Sequence, residues 1–141
     1  MKSILVIDDS RDTRDIVDTI LSDAGYDVVS TGCTAEAFEA LSNDSFDLLI
    51  CDLHMPFVLD QNHFDYQYSY EVGVRTIQEL SWVYPTTPII AISATVPWEL
   101  PTVMKSISHI PALSKPFSPR VLLNTVEQAL FCPQHSAEMV H

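Results

Sequence analysis

Short runs of apolar residues alternate along the chain with longer stretches in which apolar and polar residues recur at helical spacing. The short runs are rich in β-branched residues, as expected of strands that are buried on both faces. We predict five strands, at residues 4–7, 28–29, 48–51, 88–92 and 112–114. Because a helical stretch follows each strand, the pattern predicts an α/β fold with a doubly wound parallel sheet.

The helical stretches have residues at their ends that commonly start or stop helices. Ser10 is the expected N-cap of the first helix and Gly25 its expected end. Thr34 is the expected N-cap of the second helix, and Ser118 followed by Pro119 begins the last one. The predicted inward stripe of the first helix is Ile16, Val17, Ile20, Leu21 and Ala24. The third helix is marked by Val74, Ile77 and Leu80, and the fourth by Leu100, Val103, Met104 and Ile107.

The length and the composition fit a single folded domain. The chain has 141 residues, of which 47% are hydrophobic, and it can therefore bury a core. We assign the domain to residues 1–130 and a C-terminal tail to residues 131–141. The three cysteines are odd in number and have no CxxC spacing, which predicts neither a disulfide framework nor a zinc site. They are Cys33, Cys51 and Cys132.

The charge of the chain argues against direct contact with nucleic acid. Seven Lys and Arg stand against 19 Asp and Glu, for a formal net charge of −12, whereas nucleic-acid binding depends on basic residues. The sequence also contains no apolar run that resembles a signal peptide or is long enough to cross a bilayer. We therefore expect a cytoplasmic protein that does not bind a membrane.

Polar residues follow four of the predicted strands at the point where each strand ends. Asp8 and Asp9 follow the first strand, Asp52 ends the third, Ser93 ends the fourth and Lys115 follows the fifth. Ligands of doubly wound folds bind at this carboxyl edge of the sheet. Taken singly, each residue has a structural explanation as a helix cap, a turn residue or an exposed charge.

Taken together, these residues predict a metal-dependent phosphoryl-transfer site. Carboxylates about 4 Å apart repel each other by about 4 kcal/mol per pair at an effective dielectric constant near 20. One lysine cannot neutralise three of them. Mg²⁺ prefers oxygen ligands and commonly binds one or two carboxylates together with water and a phosphate group.

Four motifs in order give the chain its resemblance to a known family. They are Ile7-Asp8-Asp9-Ser10, Cys51-Asp52-Leu53-His54-Met55-Pro56, Ile92-Ser93-Ala94 and Ser114-Lys115-Pro116-Phe117. With these motifs, residues 1 to about 130 resemble the CheY-like receiver domain of response regulators, in its free-standing, single-domain type. The resemblance implies a flavodoxin-like (βα)5 fold with strand order 2-1-3-4-5.

The resemblance also implies a role for each residue of the site. Asp52 is the expected phosphoacceptor, Ser93 would hydrogen-bond the phosphoryl group, and Lys115 would pair with it. The expected ligands of Mg²⁺, or alternatively Mn²⁺, are Asp8 through water, Asp9, Asp52 and the backbone carbonyl of His54. In this family the peptide bond that corresponds to Lys115–Pro116 is usually cis, so we expect a cis bond here, although cis X-Pro bonds are uncommon in general.

The implied function is that of a response regulator in a two-component system or phosphorelay. A histidine kinase or a histidine phosphotransfer protein would donate the phosphoryl group. The domain would assist its own phosphorylation and dephosphorylation without being an enzyme, and would signal to a protein partner that the sequence does not identify; a homodimer is compatible with this. An interaction module that works without phosphorylation is the alternative. An aspartate-nucleophile phosphatase is disfavoured, because such enzymes have a DxD motif where this chain has Asp8-Asp9-Ser10.

The chain departs from the family at two places. Ala112 stands where receivers usually carry Tyr or Phe, so the usual route from the site to the output surface is altered. Residues 57–70 form an insertion after the third strand, where loops usually have about two to six residues. Its aromatic residues alternate with polar ones, which fits an extended or hairpin segment. We predict that its aromatic face is either an output element or a small additional core.

Overall fold

The computed structural model describes residues 1–54 and 70–131. The strands are β1 (Ser3–Ile7), β2 (Asp27–Thr31), β3 (Leu48–Asp52), β4 (Ile89–Ser93) and β5 (Ala112–Ser114). The helices are α1 (Arg11–Asp23), α2 (Thr34–Asn43), α3 (Glu71–Val83), α4 (Leu100–Val103) and α5 (Pro119–Phe131), with a 3₁₀ turn at Lys105–Ile107. The predictions for most of the insertion, for Cys132 and for the tail lie outside the described residues.

The strands form one parallel sheet in the order β2-β1-β3-β4-β5. The prediction of a doubly wound α/β fold with this strand order is confirmed. Strands β3 and β4 are buried at every position, and β1 is buried from its second residue onward, because helices cover both faces of the sheet. The pairing sets Ile7 beside Cys51 and Asp52 beside Ile92, so the ends of β1, β3 and β4 lie at one edge.

Alternate residues of the strands enter two separate cores. Leu5 and Ile7 pack in the cluster that includes Ile77 and Leu80 of α3. Ile4 and Val6 pack on the opposite face, in the cluster that includes residues of α1 and α5. Burial of one such side chain stabilises a fold by about 1.5–3 kcal/mol. The two cores therefore fix the helices on both faces and hold the strand ends in place.

Most of the predicted helix boundaries agree with the structure, and one does not. The Ser10 side chain accepts a hydrogen bond from the backbone N–H of Thr13, as expected of an N-cap. Gly25 follows α1 with a φ of 98°, a conformation that glycine adopts without strain. The predicted cap at Thr34 is wrong, because Cys33 is the N-cap and Thr34 begins the helix. The Thr34 hydroxyl is instead hydrogen-bonded, at 3.0 Å, to that of Thr76 in α3.

Two further predictions about the helices need correction. Ile16 is 56% exposed and Ala24 is exposed as well, because the part of α1 that faces the sheet is narrower than its apolar stripe. The predicted fourth helix is a four-residue α-helix followed by the 3₁₀ turn. Pro101 lies in this short helix and has no N–H to donate.

Among residues 1–54 and 70–131, no helix is long and apolar enough to span a membrane.

Candidate functional site

Asp8 lies directly after β1 and is fully buried. One of its carboxylate oxygens, Oδ1, accepts a hydrogen bond of 2.8 Å from the backbone N–H of Ser10. Its backbone carbonyl accepts one of 2.6 Å from the guanidinium group of Arg14. Its backbone N–H donates to the carbonyl oxygen of Thr31 at 3.0 Å, which ties the loop to β2. The position of this carboxylate is thus fixed from both sides of the loop.

Asp52 is the last residue of β3 and is 2% exposed. Oδ1 accepts a hydrogen bond of 3.1 Å from the backbone N–H of His54, and Oδ2 accepts one of 3.3 Å from Nζ of Lys115. The backbone of Leu53, between Asp52 and His54, donates to the carbonyl oxygen of Ile92 at 2.9 Å. These bonds hold the carboxylate at the end of the strand.

Lys115 joins the ends of β1, β3 and β4. Its Nζ lies 3.0 Å from Oδ2 of Asp8 and 3.3 Å from Oδ2 of Asp52. Its backbone N–H donates to the carbonyl oxygen of Ser93 at 2.7 Å. The peptide bond to Pro116 is cis, which confirms that prediction. The lysine is therefore held by its backbone while its charged end bridges two buried carboxylates.

The three aspartates can approach a single ion. One carboxylate oxygen from each of Asp8, Asp9 and Asp52 lies within 4.8 Å of the others. Oδ2 of Asp8 is buried and, although it pairs with Lys115, it accepts no hydrogen bond of good geometry from the described residues. A set of oxygen donors with excess negative charge suits a hard divalent cation such as Mg²⁺.

The Ser93 hydroxyl lies at the same edge of the sheet, at the end of β4. Ser93 is fully buried, and its Oγ accepts a hydrogen bond of 2.9 Å from the backbone N–H of Thr95. Because this bond uses a lone pair of the oxygen, the hydroxyl hydrogen can donate to another acceptor.

The electrostatics of the site centre on Asp52. Burial is the largest cause that raises the pKa of Asp52, and the charge of Asp8 is the second. Together they raise it to about 7, although Lys115 and the His54 N–H lower it. Burial lowers the pKa of Lys115, but the charges of Asp52 and Asp8 outweigh this and raise it overall. The lysine therefore stays charged at neutral pH, while Asp52 is poised between its two protonation states.

Sequence comparison supplies the family. A family model described as the response regulator receiver domain matches residues 4–127. The chain belongs to this family. Receiver domains are signalling domains and not classical enzymes, they bind Mg²⁺ in an acidic pocket, and they interact with histidine kinases and downstream effectors. The acidic cluster of this receiver fits that description.

Individual relatives support the same assignment. The transcriptional regulatory protein GltR of Pseudomonas aeruginosa is 31% identical over 129 residues, which cover 92% of this chain and 49% of GltR. The response regulator receiver protein CpdR of Brucella abortus is 29% identical over 130 residues, which cover 92% of this chain and 98% of CpdR. The receiver thus spans about half the length of GltR and nearly all of CpdR.

A solved structure agrees with the fold of this receiver. The Vibrio cholerae chemotaxis protein CheY4, crystallised at low pH, superimposes with a TM-score of 0.75 at 28% identity. The comparison covers 92% of this chain and 99% of that one.

The receiver brings four of the six predicted site residues together by their side chains: Asp8, Asp9, Asp52 and Lys115. Ser93 ends the strand at the same edge, and its backbone carbonyl accepts the hydrogen bond from the Lys115 N–H. Of His54, the described contact with the site is its backbone N–H, and its carbonyl as a metal ligand stays a prediction. The half-buried His54 ring meets Tyr70 edge to face, with centroids 6.5 Å apart. Burial, together with the charge of Lys115, lowers the pKa of this imidazole.

Sequence reasoning missed two residues that support the site. Arg14 binds the carbonyl of Asp8, and the N–H of Thr95 orients the hydroxyl of Ser93. A serine side chain in a turn often accepts a hydrogen bond from the backbone N–H two residues further along the chain, so the Thr95 contact could have been anticipated. The Arg14 contact could not, because an arginine on the first turn of an amphipathic helix fits an exposed position equally well.

Proposed function

We propose that Asp52 accepts a phosphoryl group from a histidine kinase or a histidine phosphotransfer protein in a Mg²⁺-dependent reaction. The phosphorylated receiver then signals by binding another protein, for which a second copy of this chain is one candidate. The observation that carries the proposal is the buried Asp52 carboxylate, which shares a single cluster with Asp8, Asp9 and Lys115.

The nucleophile of the reaction is a carboxylate oxygen of Asp52. It attacks phosphorus, a P–O bond forms, the P–N bond to the donor histidine breaks, and the electron pair of that bond passes to the histidine nitrogen. The hydrogen bond from His54 and the ion pair with Lys115 orient the carboxylate before the donor arrives. Catalysis of such transfers depends mainly on positioning and on stabilising charge.

Negative charge on the transferring oxygens would be balanced by two positively charged groups, Lys115 and Mg²⁺. Lys115 lies at ion-pair distance from Asp52 and can follow the negative charge as it moves to the phosphoryl oxygens. Asp9, Asp52 and, through water, Asp8 would hold Mg²⁺, with the His54 carbonyl as a further ligand. When bound, Mg²⁺ supplies positive charge that stabilises ionised Asp52 and offsets charge on the phosphoryl oxygens.

The Ser93 hydroxyl would hydrogen-bond a phosphoryl oxygen of the product. The Thr95 N–H holds Oγ from one side, which leaves the hydroxyl hydrogen to donate toward the site. We also propose that water would attack the acyl phosphate in this pocket, so that the receiver would assist its own dephosphorylation. We further assign the receiver unit to residues 1–130.

The proposal is tested by intact-mass spectrometry after incubation with acetyl phosphate and Mg²⁺. The wild type should gain one phosphoryl group, and Asp52→Ala should gain none. Asp15→Ala is the matched control, because Asp15 is exposed on α1 and has no part in the cluster. EDTA should prevent the modification. An unmodified wild type would overturn the proposal and favour an interaction module that works without phosphorylation.

A further inference from the structure

Helix α3 crosses the end of β3 at very short range through Gly73. Gly73 is buried, and a Cβ atom built on it would overlap the backbone carbonyl group and the Cα of Leu53. Those are backbone atoms, which cannot turn aside as the end of a flexible side chain can. The absence of a side chain at Gly73 is therefore what allows α3 to lie against this peptide.

The peptide that Gly73 touches is part of the site. Leu53 lies between Asp52 and His54, and the N–H of His54 donates to Oδ1 of Asp52 at 3.1 Å. The Leu53 carbonyl and the His54 N–H belong to one planar peptide, so a rotation of that peptide would move the N–H that binds Asp52. The contact with α3 thus bears directly on the groups that orient Asp52.

Neither side of the contact can withdraw easily. On the strand side, the Leu53 side chain is fully buried and its N–H is bound to the Ile92 carbonyl at 2.9 Å. On the helix side, the hydroxyl of Thr76 is bound to that of Thr34 at 3.0 Å, one turn from Gly73. Ile77 and Leu80 of α3 are fully buried in the core. An added methyl group would have to displace one of these anchored backbones.

We propose that Gly73 is a positioning residue, whose close contact with Leu53 sets the orientation of the His54 peptide and hence of Asp52 in the phosphoacceptor site. The inference rests on the proposed function for its consequence in phosphoryl transfer. Its structural part concerns metal affinity and the His54 hydrogen bond, which can be measured without any phosphodonor.

The test compares Gly73→Ala with Gly25→Ala. Gly25 has a φ of 98° and open space around its Cα, so alanine there strains the backbone without approaching the site. Both variants should lose stability. Only Gly73→Ala should shift the backbone amide resonance of His54 and speed its hydrogen exchange in the metal-free protein. Only Gly73→Ala should weaken Mg²⁺ binding, by about ten- to a hundredfold, as is typical when a partner of a metal ligand is disturbed.

Far-UV circular dichroism reports the folded fraction of each variant, and each Mg²⁺ affinity is calculated from the concentration of folded protein. If Gly73→Ala does not fold even in an osmolyte, Thr76→Val replaces it, because loss of the hydroxyl bond to Thr34 lets α3 move relative to Leu53. That variant should show the same changes at His54 with a smaller loss of Mg²⁺ affinity. If the folded variant has the same His54 hydrogen-exchange rate and the same Mg²⁺ affinity as the wild type, the inference is overturned.

Failure of the inference can be told from failure of the proposed function. A wild type that binds Mg²⁺ but accepts no phosphoryl group contradicts the proposed function and leaves the His54 measurements to decide on Gly73. A wild type that accepts the phosphoryl group at the same rate as folded Gly73→Ala, at saturating Mg²⁺ and at lower Mg²⁺ alike, contradicts the inference alone.

Discussion

Replacing Asp52 with asparagine should stabilise the metal-free receiver at alkaline pH, although the change removes a proposed functional group. Asp52 is buried beside Asp8, and its pKa in the folded protein is raised to about 7 from an ordinary value of 3.8. Asparagine has nearly the same shape and carries no charge. The variant therefore removes the electrostatic cost of ionising this buried side chain.

The sign of the effect follows from proton linkage. Between about pH 4 and pH 7 the folded protein holds a proton on Asp52 that the unfolded chain has already released, so the wild type loses stability as pH rises through this window. The shift of about three pKa units, at 1.36 kcal/mol for each, corresponds to at most about 4 kcal/mol at pH 8. The attraction of Lys115 is already contained in this net shift.

The assay is urea unfolding in EDTA at several pH values, followed by far-UV circular dichroism. Fluorescence is less suitable, because Trp82 and Trp98 are 85% and 78% exposed and would change little on unfolding. The difference in unfolding free energy between Asp52→Asn and wild type should be near zero at pH 4, grow through pH 7 and then level off. Added Mg²⁺ at pH 8 should stabilise the wild type more than the variant.

Asp15→Asn serves as the control, because Asp15 is exposed and its substitution should give a difference that hardly varies with pH. The reasoning would be refuted if Asp52→Asn were less stable than wild type at pH 8 in EDTA. A stability difference that stayed constant from pH 4 to pH 8 would refute it as well.

Three further predictions concern the neighbours of Asp52. Lys115→Met should destabilise the metal-free protein by about 3 kcal/mol at pH 8, because it leaves two buried carboxylates unpaired. Urea unfolding at pH 5 should show a smaller loss of unfolding free energy, and equal losses at the two pH values would contradict this prediction. Isothermal titration should show tighter Mg²⁺ binding with beryllofluoride, a phosphoryl mimic, than without it, and Asp9→Ala should abolish this difference. Equal Mg²⁺ affinities of the wild type with and without beryllofluoride would disprove the ligand assignment. Ser10→Ala should lower the unfolding free energy by about 1 kcal/mol through loss of the N-cap bond to Thr13, with acetyl phosphate still modifying the protein; an unchanged urea midpoint would count against that bond.

The elements that the sequence predicts well are those whose environment is uniform along the chain. Strands β1, β3 and β4 are buried on both faces, and continuous apolar runs such as Leu48–Cys51 are visible without knowledge of the fold. The same holds for the candidate site, because parallel strands bring their carboxyl ends to one edge, so that Asp8 and Asp52 converge. The topology alone makes neighbours of residues that are 44 positions apart in the numbering.

The elements that the sequence predicts poorly depend on which partner an element meets. Ile16 has the periodicity of a buried residue, yet it is 56% exposed in the part of the chain that the structure describes. Thr34 resembles an N-cap, but its hydroxyl bonds across to Thr76 instead. The contact of Gly73 with Leu53 depends on how closely α3 crosses β3, a distance that no local pattern encodes.

The central claim is that the phosphoryl group is transferred to the side chain of Asp52. The most direct test is to phosphorylate the receiver with acetyl phosphate and Mg²⁺, reduce the product with borohydride, and map the peptides by tandem mass spectrometry. An aspartyl phosphate is reduced to homoserine, so the account predicts homoserine at position 52 in the treated wild type and aspartate there when EDTA is present. Phosphorylation of the protein with unmodified aspartate at position 52, or homoserine at another aspartate, would contradict it.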